Sequence, residues 1–288
     1  MPITRPIPAA LAALALALAL GLAGACPAGA VNLGPPGNVA VVNPNQIDPA
    51  DDAFGVAIAR GDFNGDGIDD LAIADRQHPG LVRIRYGTLW TLGSPVGNPF
   101  QSETVPVPMV PGTTLGPANA LIAGDFTKDI SNDDELVVGV PGDSLSANNA
   151  GAVFVLDRRP QGNWVVAITI RQGFEGFSGI SEAGDHFGAA LAVGRFDAND
   201  RDDLAIGIPG ETTSGAVASG AVYIVYQGVA GLMNSNEEAF LRGANGLTGV
   251  PIAGEDLGHA LAAGDFNGDD IDDLAVGIPG NPCAGQPD

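Results

Sequence analysis

Hydrophobic positions fall into two regimes along this chain. From Ala9 to Ala25 the residues are Ala, Leu and Gly without a break, and Arg5 is the only charge before Asp48. One basic residue, an apolar run and then small residues predict a secretory leader. The run is short for a membrane span, which takes about 20 apolar residues. After residue 50 the apolar positions come in short runs instead. Ala57 and Ala59, Ala190 and Ala192, and Ala260 and Ala262 recur at period two. Leu204-Ala205-Ile206-Gly207-Ile208 is continuous, and Ala152-Val153-Phe154-Val155-Leu156 and Ala221-Val222-Tyr223-Ile224-Val225-Tyr226 are rich in β-branched and aromatic residues. A weaker run follows in places, as in Trp164-Val165-Val166-Ala167-Ile168-Thr169-Ile170. These patterns predict strands, and no long helical period interrupts them.

The leader offers two small-residue cleavage signals, Ala23-Gly24-Ala25 and Ala28-Gly29-Ala30. Cleavage after Ala30 is favoured because Pro27 ends the apolar helix just upstream. This makes residues 1–30 a signal peptide. The alternative is lipidation at Cys26, since Ala23-Gly24-Ala25-Cys26 resembles a bacterial lipobox with Ala23 where leucine is usual. With cleavage after Ala30, Cys283 is the single remaining cysteine, so no internal disulfide forms in a compartment that permits one.

The strand runs belong to a repeat. Phe54-Gly55 is followed by small apolar residues, then Gly61-Asp62-Phe63-Asn64-Gly65-Asp66-Gly67-Ile68-Asp69-Asp70-Leu71. Leu257-Gly258 is followed in the same way by Gly264-Asp265-Phe266-Asn267-Gly268-Asp269-Asp270-Ile271-Asp272-Asp273-Leu274. A third copy runs from Phe187-Gly188 to Leu204, and a second, from Leu115-Gly116 to Leu136, carries insertions. Loop starts at 62, 125, 195 and 265 are 63, 70 and 70 residues apart. Three of the four copies continue into a Gly-x-Pro-Gly turn, beginning at Gly139, Gly207 and Gly277. Three to four strands per repeat predict an all-β chain of β-propeller blades, each about four antiparallel strands. The domains are then 1–30, an N-terminal segment at 31–49, and repeats over 50–288 starting near 53, 115, 186 and 256.

Composition sharpens this picture. The chain has 34 acidic and 12 basic residues, for a net charge of −22. Such a surface repels nucleic-acid phosphates and anionic membranes. The 45% hydrophobic content argues against disorder. Of the 34 acidic residues, 18 lie in the four windows 62–70, 125–135, 195–203 and 265–273. Carboxylates packed this closely repel unless a positive charge sits among them.

The first and fourth windows show what that charge is. Asp62, Asn64 and Asp66 alternate, with Asp70 closing; Asp265, Asn267 and Asp269 alternate, with Asp273 closing. Oxygen donors at positions 1, 3, 5 and 9, with the carbonyls of Ile68 and Ile271 at position 7, suit a hard cation, Ca²⁺ over Mg²⁺. Gly67 at position 6 permits the sharp turn. No histidine or cysteine enters the loops, which argues against zinc. The second window has Asp125 and Asp129 at positions 1 and 5, Thr127 for Asn, and Asp133, Asp134 or Glu135 to close it. The third keeps Asp197, Asn199 and Asp203 but has Arg195 at position 1, which leaves two readings open: these three residues hold a metal, or the Arg195 guanidinium forks onto the carboxylates in its place.

Phe-Gly, small apolar residues, Gly-Asp-Phe-Asn-Gly-Asp-Gly, Asp-Leu-Ala and Gly-x-Pro together resemble the FG-GAP repeat of integrin α propellers and of many secreted bacterial proteins. The resemblance covers about residues 50 to 283. It implies calcium in the loops of one face and partner binding on the other. Val31-Asn32-Leu33 looks like the integrin strand that closes the ring. Integrin propellers have seven blades and four motifs are visible here, which implies an incomplete or truncated propeller. An open blade edge would be free to self-associate.

Two functions are then in view. The first is a secreted or cell-surface calcium-binding module that binds an extracellular protein or glycan without catalysis. The second is the propeller portion of a secreted, phospholipase-like hydrolase. Against catalysis, the chain has no G-x-S-x-G, no H-E-x-x-H and no phosphate-binding glycine loop. His78, His186 and His259 are scattered, and His186 and His259 take different offsets in their repeats. Arg60-Gly61-Asp62 matches an integrin-ligand tripeptide, but Ala123-Gly124-Asp125 and Ala263-Gly264-Asp265 occupy the same positions, which makes it framework.

Overall fold

The computed structural model describes residues 54–75, 80–87, 102–107, 120–127, 133–229 and 231–280. The chain divides into a unit ending at Asp52 and a unit beginning at Ala53, and the second holds every described residue. The leader, Cys26, Val31-Asn32-Leu33, His78, Asp129 and Cys283 lie outside them.

The described residues form fourteen strands and no helix. The first sheet orders β1 (Phe54–Gly61), β2 (Asp70–Asp75), β3 (Leu81–Arg85) and β4 (Ser102–Pro106) as a meander. The second repeats it with β5 (Ala120–Gly124), β6 (Glu135–Val140), β7 (Ala152–Arg158) and β8 (Trp164–Ile170). The third uses β9 (Ala190–Gly194), β10 (Asp203–Ile208), β11 (Ala221–Gly228) and β12 (Gly231–Phe240). The fourth pairs β13 (Ala260–Gly264) with β14 (Asp273–Gly277). Every pairing is antiparallel. The first strands stand side by side, β1 by β5, β5 by β9 and β9 by β13. This is the fan of propeller blades that the repeat predicts, not closed into a barrel among the described residues.

The second strand of each inner blade is apolar on both sides because both sides are covered. In β6, Leu136 and Val138 pack with Val82 and Ile84 of the first blade, while Val137 packs with Leu204 and Ile206 of the third. In β10 the alternation repeats: Leu204 and Ile206 face the second blade, and Ala205 lies in the cluster with Leu261, Ala263 and Leu274 of the fourth. A period of two thus feeds two cores at once. Each fully buried Leu, Ile or Val is worth about 1.5–3 kcal/mol.

Backbones also touch between blades. Gly151 bridges Phe187 and Gly220 bridges Leu257, each in parallel. At Gly207 an added Cβ would strike the Gly258 carbonyl, and at Gly139 it would strike that of Gly188. The Gly-x-Pro and Phe-Gly motifs are therefore two halves of one junction.

The polar β12 and the short β4 carry little hydrophobic pattern. They form because β11 and β3 leave an edge of unpaired backbone groups beside them.

Candidate metal-binding loops

Each loop joins the first strand of a blade to its second, so all four sit at the same end of the strands. In the first, the Asp62 carboxylate accepts the N–H of Asp66 at 3.1 Å and of Gly67 at 2.7 Å. Asn64 Oδ1 accepts the Asp66 N–H at 2.9 Å, and Asp66 Oδ1 accepts that of Ile68 at 2.9 Å. Position 6 is left-handed, with φ of 81° at Gly67 and 68° at Asp270. In the fourth loop Asp265 accepts from Gly268, Asp269 and Asp270, and Asp269 Oδ1 accepts from Ile271 at 3.0 Å. The N–H of Gly268 leads in holding the Asp265 carboxyl below its usual value. Side-chain oxygens at positions 1 and 5 are thus gathered on the loop they belong to, with Asn64 Oδ1 beside them in the first, while in the fourth the Asn267 amide donates to Asp273 Oδ1 at 3.3 Å.

The closing carboxylates do something the spacing did not announce. Asp70 is buried and accepts the N–H of Phe63 at 3.0 Å and of Gly87 at 2.7 Å. Asp203 accepts those of Phe196 at 2.9 Å and Gln227 at 2.8 Å. Glu135 accepts from Phe126 and Thr127, and from the Thr127 hydroxyl at 2.6 Å. Asp273 accepts from Phe266 at 3.0 Å. Each clamps the loop's second residue. Burial pushes Asp70 and Asp203 up to about 6 and Glu135 to about 7, against the pull of these N–H groups.

The residue before each of the last three clamps reaches into the preceding blade. Asp134 accepts the Asp62 N–H, Asp202 that of Asp125, and Asp272 that of Arg195 at 2.8 Å. The doubled acidic residue ahead of each leucine is the signal for this; the sequence pattern offers Asp134 as one candidate to close its loop and gives Asp202 and Asp272 no role. Gly61 is buried at the first of these junctions, where an added Cβ would meet Ala123 and Asp134.

The third loop is satisfied from within. The Asn199 amide donates to Asp197 Oδ2 at 3.0 Å and to the Gln227 carbonyl at 2.9 Å. Arg195 does not fork onto Asp197 and Asp203. Its side chain stays half exposed at the rim and pairs with Asp200 at 3.7 Å. In the second loop Asp133 is buried, and its Oδ1 has no hydrogen-bond partner among the described residues.

Among the described residues no three carboxylate or imidazole groups converge as a metal cluster. The first and fourth loops do offer an all-oxygen donor set of carboxylate, amide and carbonyl, which fits a hard cation.

At the other end of the strands, the Gly-x-Pro turns border an open cavity of about 460 Å³ lined by Pro141, His186, Pro209, Asp256 and His259. His186 and His259, at different offsets in their repeats, both line it.

Residues 54–80 and 257–288 match the FG-GAP repeat. The chain carries FG-GAP repeats. It is 30% identical over 173 residues to human phosphatidylinositol-glycan-specific phospholipase D, covering 58% of this chain and 19% of that protein. It is 32% identical over 166 residues to integrin alpha-8 of Gallus gallus, covering 56% and 13%. To integrin alpha-PS2 of Drosophila melanogaster it is 33% identical over 165 residues, covering 56% and 10%. The chain thus spans a fifth or less of the length of these relatives. The second and third copies of the repeat fall outside the matched ranges, and these are the loops with insertions and with Arg195.

Proposed function

We propose that the chain is a secreted calcium-binding FG-GAP module that binds an extracellular protein or glycan and performs no catalysis itself. The observation that carries this is the first and fourth loops. There the aspartate oxygens at positions 1 and 5 already fold inward on their own backbone, joined in the first loop by Asn64 Oδ1. Asp62, Asn64, Asp66, the Ile68 carbonyl and Asp70 would hold one ion, and Asp265, Asn267, Asp269, the Ile271 carbonyl and Asp273 the other. Calcium supplies the charge that lets these carboxylates lie together. The self-satisfied third loop takes none, and the second depends on Asp125, Asp129 and the orphaned oxygen of Asp133. The apolar leader supports secretion, and no helix among the described residues is long and apolar enough to cross a membrane. The cavity between the Gly-x-Pro turns is where a partner's side chain would enter.

Calorimetric titration of the full chain with calcium tests this reading. Binding at the first and fourth loops is expected, with one site lost in Asp66→Ala and one in Asp269→Ala. No heat and no change in melting temperature would overturn it. The similarity to phospholipase D supports the second reading, a propeller portion of a hydrolase. Calcium-dependent release of product from a phospholipid by this chain alone would favour that reading.

A further inference from the structure

The first loop is seated on the second blade through its opening residues. Asp134 takes the Asp62 N–H and returns its own N–H to the Asp62 carbonyl. The backbone groups on both sides of the Asp62 Cα are thus fixed by one residue of another blade. The Asp62 carboxylate is then aimed by its own loop, through the N–H groups of Asp66 and Gly67. Phe63 comes next, fully buried and edge-on to Trp164 of the second blade, with ring centroids 5.9 Å apart. A Cβ added at Gly65 would lie 3.7 Å from the Cβ of Asp133, again in the second blade.

The reciprocal pair of bonds acts on the backbone, whatever side chain stands there. Asp272 accepts the Arg195 N–H at 2.8 Å and donates its own to the Arg195 carbonyl at 2.9 Å, although Arg195 offers no oxygen donor in its side chain. Asp202 likewise accepts the N–H of Asp125 at 3.2 Å. At Asp125 and Asp62 the residue held this way carries a carboxylate at position 1. Of these two loops, the first has the complete alternating donor set.

We propose, on the calcium reading above, that the second blade completes the first loop's calcium site, with Asp134 as a positioning residue rather than a ligand. By fixing the stem of Asp62, Asp134 reduces the freedom that the first donor loses when an ion binds. Affinity in such oxygen cages follows the rigidity of the site as well as its charge. The coupling runs both ways, so calcium in the first loop tightens the docking of the first two blades by the same factor.

Calorimetric titration of the full chain with calcium tests this in two backgrounds. Asp269→Ala leaves the first loop to be read, and Asp66→Ala leaves the fourth. In the Asp269→Ala chain, adding Asp134→Ala should weaken calcium about tenfold or more, the usual effect of losing a group that orients a metal ligand. Asp134→Asn keeps an acceptor oxygen and should retain most of the affinity. In the Asp66→Ala chain, Asp134→Ala should change nothing. Asp202→Ala removes a charge close to Asp134 but no bond to Asp62, and should leave the first loop as it was. Gly61→Ala crowds Ala123 and Asp134 at the same junction while every donor stays in place, and should weaken the first loop as well. Melting curves in chelator set a temperature at which each variant is folded, and Gly61→Ala carries the test if Asp134→Ala does not fold. A parent chain that binds no calcium would overturn the calcium reading and this coupling together. The coupling alone is overturned if the parent binds but the junction variants leave the first loop unchanged. Equal weakening of both loops, or Asp134→Asn as weak as Asp134→Ala, would do the same.

Discussion

Asp134 of the second blade accepts the N–H of Asp62 at 2.9 Å, and its own N–H returns to the Asp62 carbonyl at 2.8 Å. Two residues 72 apart are thus joined by a reciprocal pair of bonds, at a junction that also buries Gly61. Asp134→Ala removes the charged acceptor and leaves the Asp62 N–H without it, at a cost of about 1–3 kcal/mol. Asp134→Asn keeps an acceptor oxygen and should lose less than half of that. Urea unfolding of the two variants side by side measures the difference.

The clamps should matter more than the ligands when calcium is removed. Asp203 is fully buried and accepts two N–H groups. Asp203→Ala orphans both and opens a small void, so a loss of about 2–4 kcal/mol is expected with calcium or with chelator. Asp66 is exposed and accepts one N–H. Asp66→Ala should cost under about 1 kcal/mol in chelator. With calcium present its loss grows by the binding energy of one site. Melting curves of both variants in the two conditions separate clamp from ligand, and equal calcium dependence would show that the roles are shared.

Much of this was legible because the repeat aligns four versions of one blade. The continuous apolar run Leu204-Ala205-Ile206-Gly207-Ile208 marked a strand after the loop, and the Asp-x-Asn-x-Asp spacing marked the loops. What stayed hidden depends on neighbours in space. β12 holds Glu237 and Glu238 and follows no pattern, because β11 beside it supplies the hydrogen bonds. Asp202 and Asp272 looked like loop charge, and Asp134 like a candidate closing ligand, until a second blade stood within reach. Arg195 looked like an internal counter-ion, but the compact Asn199 amide takes the inward place and the long guanidinium goes to the rim.

Close packing between blades predicts a contrast between equivalent glycines. A methyl group at Gly207 would be driven into the Gly258 backbone, where nothing flexible can yield. Gly207→Ala should therefore cost about 2–4 kcal/mol through forced separation of the third and fourth blades. Gly277→Ala meets only Ala260 of its own strand pair and should cost under about 1 kcal/mol in the single chain. Similar losses for both would mean that the junction gives way more easily than its geometry implies.

Glu211 sets a pH dependence that is independent of the loops. It follows the third blade's Gly-x-Pro-Gly turn, and the Gln172 amide donates to it at 2.6 Å. Burial raises its pKa from 4.5 to about 7, Gln172 opposes the rise, and Asp185 and Glu182 add to it. The folded chain therefore binds this proton more tightly than the unfolded one. Its contribution to stability is fully present below pH 4.5 and is lost as pH climbs through about 7. Glu211→Gln mimics the protonated group at every pH. Relative to the parent it should gain about 1 kcal/mol between pH 5 and pH 8, discounted from the full shift because solvent screens part of the charge. That corresponds to roughly 2–4 °C in melting temperature. Parallel melting curves of parent and variant from pH 5 to 8, at fixed calcium, would show the gap opening as pH rises. A gap that stays constant would place the cause outside the Glu211 proton.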